Sequence, residues 1–170
     1  MQSIYDMTTA QALAIRFVLM DIDDTLTTEG KLTAESYASL WDLKAAGLKV
    51  IPITGRPAGW CDLIAREWPV DGVVGENGAF VFWEAEGKRL NTITHPNAVR
   101  NDASALARAL KRAQKEVPGC RPARDQFARL YDIAIDFAEE EPVLTLAEAL
   151  KIKAICDEEG LHAKVSSIHV

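Results

Sequence analysis

Residues 15–20 (IRFVLM) form a short apolar run with an aromatic and β-branched residues, the pattern of a buried strand. A polar stretch follows. Thr33 then stands as an N-cap ahead of Tyr37, Leu40, Trp41 and Leu43, which recur at near-helical spacing, and Gly47 sits where a C-terminal cap belongs. Residues 48–53 (LKVIPI) predict a second strand, with Pro52 tolerable near its end. Residues 58–68 predict a helix and 71–74 a third short strand. This alternation implies right-handed crossovers and a parallel sheet with helices on its faces.

The pattern changes after Gly75. Residues 80–83 and 90–93 flank a polar stretch with Gly87 and read as a β-hairpin. Residues 101–115 predict a helix, broken by Pro118, Gly119 and Pro122. Residues 128–137 read as a strand, with Leu130, Ile133 and Ile135 among its apolar positions. Residues 145–159 read as a helix with Leu146, Ala149, Leu150 and Ile152 on one side, ended by Gly160, and 162–170 as a last strand. The expected fold class is α/β: a Rossmann-like parallel core over residues 1–94 and a small α+β unit over 95–170, joined near Pro96.

The chain has 170 residues, room for one ordinary domain or one core with a small appendage. Its 48% hydrophobic and 26% charged residues exclude a disordered chain, a collagen-like repeat and a disulfide scaffold. A net charge of -6 argues against broad nucleic-acid binding, though not against a local pocket for one small anion. Cys61, Cys120 and Cys156 are far apart and His95, His162 and His169 are scattered, so reduced structural thiols are expected rather than a zinc site. No apolar run reaches the roughly 20 residues of a membrane span. The N-terminus does not read as a signal peptide, so the cytoplasm is the expected location.

Residues 21–27 (DIDDTLT) start where the first apolar run stops, and ligand sites of open α/β sheets lie at the carboxyl ends of strands. Asp21, Asp23 and Asp24 repel one another there, which makes a cation their natural partner. Oxygen-only ligands select a hard ion such as Mg²⁺ over zinc. Alternation puts Asp21 and Asp23 on one side of an extended chain. One carboxylate can then hold the metal and attack an electrophile while the other gives and takes a proton. An isolated Asp-x-Asp is as well explained by an Asx or Ser/Thr turn. The second strand changes that balance, because it runs into Thr54-Gly55-Arg56, whose hydroxyl, permissive backbone and guanidinium suit a phosphate.

These segments resemble the haloacid dehalogenase (HAD) superfamily of phosphotransferases. Residues 21–27 look like its first motif and residues 54–57 (TGRP) like its second. Residues 75–79 (GENGA), followed by a hairpin, resemble the sugar-phosphate phosphatase branch with a C2-type α+β cap (Cof-type, subclass IIB). The resemblance implies a HAD-like core and cap, and Mg²⁺-dependent phosphomonoester hydrolysis through an aspartyl-phosphate. A sugar phosphate, a phosphoglycolate-like compound or another small phosphorylated metabolite would be the substrate. It makes Asp21 the nucleophile and a metal ligand. Asp23 becomes the general acid/base, with its backbone carbonyl on the metal. Thr25 would orient the Asp23 loop and belong to the phosphate site with Thr54 and Gly55. Arg56 would contact substrate or pair with an acid at the helix start. Asn77 would face the site or belong to a turn with Gly78 at positive φ. Asp24 stands where the family often has Gly.

Two departures stand out. The family's third motif, a phosphate-binding Lys, and its fourth, a Gly-Asp pair that completes the metal site, are not found; Lys151 and Lys153 fall on a predicted cap helix. The core would have three parallel strands and a bare apolar edge, open to homo-oligomer formation. The chain therefore reads as the N-terminal portion of a longer phosphatase, with little or no activity expected of the 170 residues alone. The alternatives are a non-catalytic or truncated HAD-fold module, a phosphomutase, and a response-regulator-like phosphoacceptor, against which the cap-like second half and Thr-Gly-Arg argue. Most tryptophans are expected in packing, and Trp60 is the one to test for substrate contact. Arg121, Arg124 and Arg129 read as charges on a solvated face, although the branch that the chain resembles reads its substrate with the cap. Asp132 and Asp136 read as surface or capping acids and Glu139-Glu140-Glu141 as a solvated turn before Pro142.

Overall fold

The structure, a computed structural model, describes residues 3–100 and 104–170. It divides into two compact units, residues up to Arg56 with Trp60–His95, and Pro57–Gly59 with Pro96–Val170.

In the first unit, Thr8 forms a capping box with Gln11 and opens α1 (Thr9–Ala14). The hydrophobic pattern does not announce this helix, because none of its residues is buried. β1 (Phe17–Met20) is shorter than the apolar run that predicts it. The polar stretch after it contains a small hairpin, β2 (Thr27–Thr28) and β3 (Lys31–Leu32), turned by Glu29 and Gly30 at φ 50° and 70°. Two residues of left-handed backbone make this the tight turn that two-residue hairpins favour. α2 (Ala34–Ala45) starts at Thr33, whose hydroxyl accepts the Ser36 N–H. β4 (Lys49–Pro52), α3 (Ala58–Glu67) and β5 (Val73–Gly75) follow, then the antiparallel β6 (Phe80–Ala85) and β7 (Arg89–Thr94).

β1 and β4 pair in parallel, from Phe17 opposite Lys49 to Met20 opposite Pro52. A parallel bridge between Ile53 and Val74 joins β5, and β5 continues through β6 to β7 in antiparallel register. The fold is thus the expected α/β sheet, with the hairpin extending it. Pro52 ends β4, as its missing donor requires. One face of the sheet is covered: Val50, Val73, Phe80 and Phe82 are buried with Leu40 of α2 and Cys61 and Ile64 of α3.

The register assigns a second set of side chains to the opposite face, because paired residues share a face and alternate residues return to it. Leu19 lies opposite Ile51, Ile53 opposite Val74, Val74 opposite Val81, and Val81 opposite Ile93. This apolar row crosses every strand of the sheet, yet Phe17, Leu19 and Ile93 are 58, 59 and 62% exposed.

The second unit packs α4 (Ser104–Glu116) against α5 (Leu146–Glu158), beside a short antiparallel pair, β8 (Arg121–Pro122) and β9 (Ile135–Asp136). The first residues of the helix expected over 101–115 lie outside the described residues. Ala109, Ala113, Ile135, Ala149, Ile152 and Cys156 form its core. The inward face of α5 is therefore Ala149, Ile152, Ile155 and Cys156. Leu146 and Leu150, expected on that side, are exposed, because the buried set follows a stripe rotated by one position.

Two strand expectations fail here. Residues 128–137 yield only β9, because Arg129 bonds to Asp125 and Asp132 on either side and curls the segment. Gln126 also donates to the Asp132 carbonyl and accepts the Ala134 N–H, replacing ladder bonds. Residues 162–170 yield only a bridge from His169 to Asp136, since the Ser166 hydroxyl accepts the Ile168 and His169 N–H groups and closes a turn. Arg129 and Asp136, expected at the surface, are buried.

Candidate active site

The Ile53 N–H donates to the Met20 carbonyl at 2.8 Å, so the chain leaves β1 and β4 side by side. Residues 21–27 then wind around one carbonyl. Ile22, fully buried, accepts at its oxygen the N–H groups of Leu26 and Thr27, both at 2.9 Å, and the Thr27 hydroxyl at 3.1 Å. Leu26 and Thr27 are also buried, which leaves Asp21, Asp23, Asp24 and Thr25 exposed at the strand end. The apolar anchors thus face inward and the acids outward.

Three details of the loop follow. Asp24 has φ 56°, the left-handed region, which explains why glycine suits this position and why Asp is tolerated. The hydroxyl that ties the Asp23 turn is that of Thr27, which accepts the Asp24 N–H at 3.3 Å; Thr25 contributes its backbone N–H to Ile22. Sequence reading missed Thr27 because nothing in the pattern marks a buried threonine. Asp21 turns one carboxylate oxygen, Oδ1, onto the Ile22 N–H at 2.7 Å.

The second strand end is built as tightly. Thr54 is buried, and its Oγ1 accepts the Arg56 N–H at 3.1 Å. Its own N–H donates to Val74, while its carbonyl accepts the Asn77 N–H at 3.2 Å. The Glu76 N–H reaches the Arg56 carbonyl, also at 3.2 Å. Glu76 and Asn77 at φ 45° and 57° make this clasp between two loops. A Cβ on Gly55 would stand 3.2 Å from Asn77 Oδ1, so the exposed Asn77 amide lies directly against the Thr-Gly-Arg backbone. Gly75 is enforced more strictly: a Cβ there would lie 2.2 Å from Phe80 Cζ and 2.7 Å from Cys61 Sγ.

Arg56 joins the two strand ends. Its Nη2 donates to Asp23 Oδ1 at 2.7 Å and its Nε to Oδ2 at 3.1 Å, a two-point contact. The acid it meets is therefore in the Asp21–Thr27 loop rather than at the helix start. Its Cζ also lies 4.6 Å from the centroid of the Trp60 ring. Of the residues singled out from the sequence, Asp23, Thr54, Gly55, Arg56 and Asn77 are linked by these contacts, and Asp21 stands beside them at the end of β1.

The donor chemistry fits a hard divalent cation. The Asp21 carboxylate is exposed, and every side chain of the loop that offers a ligand atom offers oxygen. The Asp21 carboxylate and the Asp23 backbone carbonyl are the groups that would hold it. A second cluster, Asp136, Glu139 and His169, brings ligand atoms within 4.8 Å of one another in the other unit. There the Arg121 guanidinium lies 2.7 Å from Asp136, occupying that carboxylate with a cation already present. Among the described residues no helix is long and apolar enough to cross a membrane.

Residues 18–117 match a family model described as haloacid dehalogenase-like hydrolase. No curated protein matches the sequence. A solved Thermoplasma acidophilum structure is similar at a TM-score of 0.69 and 14% identity, over 91% of this chain and 63% of that one. ATP-bound IMP-nucleotidase of Plasmodium falciparum is similar at 0.56 and 12%, over 85% and 40%. A HAD-superfamily phosphatase of Bacteroides thetaiotaomicron gives 0.47 and 21%, over 95% and 53%. The chain thus spans 63% and 53% of the Thermoplasma and Bacteroides proteins.

Proposed function

The chain belongs to the haloacid dehalogenase-like hydrolases, and from that premise we propose that it carries the nucleophile and phosphate-binding half of a magnesium-dependent phosphomonoesterase. The substrate class is a small phosphorylated metabolite, either a sugar phosphate or a phosphoglycolate-like acid. The observation that carries the reading is the coupling of two strand ends, one acidic and one suited to an anion, through the Arg56–Asp23 contact.

Asp21 acts as the nucleophile. One carboxylate oxygen is anchored on the Ile22 N–H, which leaves the other to attack phosphorus. The phosphorus–oxygen bond to the leaving group breaks as the aspartyl-phosphate forms, and Asp23 gives its proton to the departing oxygen. Asp23 then takes a proton from water as that water attacks the phosphoryl group, releasing phosphate and restoring Asp21. The Thr54 hydroxyl, whose oxygen already accepts the Arg56 N–H, keeps its own hydrogen to donate to the phosphoryl group. A bound Mg²⁺ neutralises charge on the transferring group. Once Asp23 has given up its proton, its carboxylate and the aspartyl-phosphate on Asp21 are both anionic, and Arg56 supplies the intervening cation.

The lysine and Gly-Asp motifs that the family resemblance calls for are not found in the 170 residues, so turnover by this chain alone is expected to be weak. Trapping tests the chemistry more directly. The polypeptide is incubated with p-nitrophenyl phosphate and Mg²⁺, quenched in acid and mapped by mass spectrometry. A phosphoryl group on Asp21, lost without Mg²⁺ and absent from Asp21→Asn, supports the reading. Phosphorylation that survives Asp21→Asn, or none at any residue, overturns it.

A further inference from the structure

The contact that joins the two strand ends has an unusual division of exposure. The Arg56 side chain is 17% exposed and Asp23 52%. The cation is the held partner and the carboxylate the accessible one. What holds the cation is Trp60, on the first turn of α3, with its ring centroid 4.6 Å from the guanidinium carbon. The residue is itself 49% exposed, so its ring is open to solvent beside the guanidinium.

We propose that Trp60 is a positioning residue that lets Arg56 exchange between Asp23 and an incoming phosphate. This rests on the phosphatase reading above. A guanidinium fork binds carboxylate and phosphate by the same planar, two-point geometry, so one can replace the other without rebuilding the site. The Asp23 pair is half in water and easily given up. The aromatic face supports the guanidinium plane wherever its fork points, so Arg56 pivots against the ring rather than swinging free. Thr54 and Gly55 lie immediately before Arg56 in the same loop, which sets the phosphate's place within the pivot's reach. When Arg56 turns to the phosphate, it uncovers Asp23, the group that must handle the proton. Binding of the anion and release of the acid/base are then one event.

The test follows the Arg56 Nε–H by NMR in the full 170-residue chain, assigned through Arg56→Lys, with inorganic phosphate and Mg²⁺ as the probe. The Thr54 amide serves as an independent reporter of phosphate binding. In the native protein phosphate should move both signals. Trp60→Phe, which keeps an aromatic face, should behave as native. Trp60→Leu, which keeps bulk without a π face, should weaken phosphate binding by about two- to fivefold. If phosphate moves Thr54 but leaves the Arg56 Nε–H unmoved, or if Trp60→Leu binds as tightly as native protein, the exchange is wrong and the phosphatase reading stands. If neither signal moves, both fall.

Discussion

Lys44 Nζ lies 2.6 Å from Asp71 Oδ2, and that oxygen also accepts the Val50 N–H at 2.9 Å. The other oxygen takes Lys49 at 2.9 Å. One carboxylate before β5 thus ties together the end of α2 and the start of β4. Burial raises its pKa, but the bonds from Lys44, Val50 and Lys49 together outweigh that and hold it below the ordinary carboxylate value.

A depressed folded-state pKa contributes stability above the unfolded-state value and loses it as the pH falls through the folded-state value. Asp71→Asn should therefore destabilise the protein by about 1–2 kcal/mol at neutral pH. The gap between native and variant should be full above about pH 5 and shrink on acidification. Urea melts of both proteins at a series of pH values check this. A constant gap down to acid pH would assign the effect to packing instead of charge.

The same segment shows how the sequence could and could not be read. Run 48–53 is apolar because its strand is buried on one face, which makes it visible. Run 15–20 shows the same apolar pattern, although no residue of β1 is buried, contrary to the buried strand expected there. Residues 21–27 and 54–56 were visible because chemistry demands particular side chains at strand ends. Thr27 was not, since its job is a bond to the Ile22 carbonyl, which any hydroxyl at that distance performs. Nor was the failure of the strand over 128–137. Its alternating apolar residues satisfy a strand pattern, and only the distant pairing decides, here lost to Arg129 and its two aspartates. Trp60 was singled out for exposure to substrate, but its contact with Arg56 depends on the turn of α3 and leaves no mark in the sequence.

Arg129 is the buried cation of the second unit, its side chain only 5% exposed. Burial alone would lower its pKa, but Asp132 and Asp125, at 3.0 and 3.3 Å, reverse that and raise it. Removing Arg129 leaves Asp125 and Asp132, 32 and 25% exposed, without this cation, and solvent screening limits the cost to about 1–3 kcal/mol. Arg129→Ala should lower stability by that order. Arg129→Met combined with Asp125→Asn and Asp132→Asn, which removes the charges together and keeps the volume, should recover most of it. Thermal melts of the single and triple variants decide, and a triple variant no more stable than Arg129→Ala would mean that the ion pairs set the loop's shape rather than merely neutralise it.

Phe17 and Leu19 are about three-fifths exposed at the head of an apolar row that crosses the sheet. β1 has β4 on one side and, among the described residues, no strand on the other, so bare backbone groups adjoin a bare apolar face. A bare strand edge beside exposed apolar side chains invites strand or face pairing. The isolated chain should self-associate in a concentration-dependent way and bind a dye that reports exposed apolar surface. Replacing both residues with threonine introduces β-branched side chains suited to a strand while removing most of the apolar area. The double variant Phe17→Thr, Leu19→Thr should shift toward monomer in sedimentation velocity and lose most of the dye signal. Because both side chains are already half in water, its stability should change by no more than about 1 kcal/mol. A large loss of stability with unchanged association would instead show that the face is packed in solution by the chain itself.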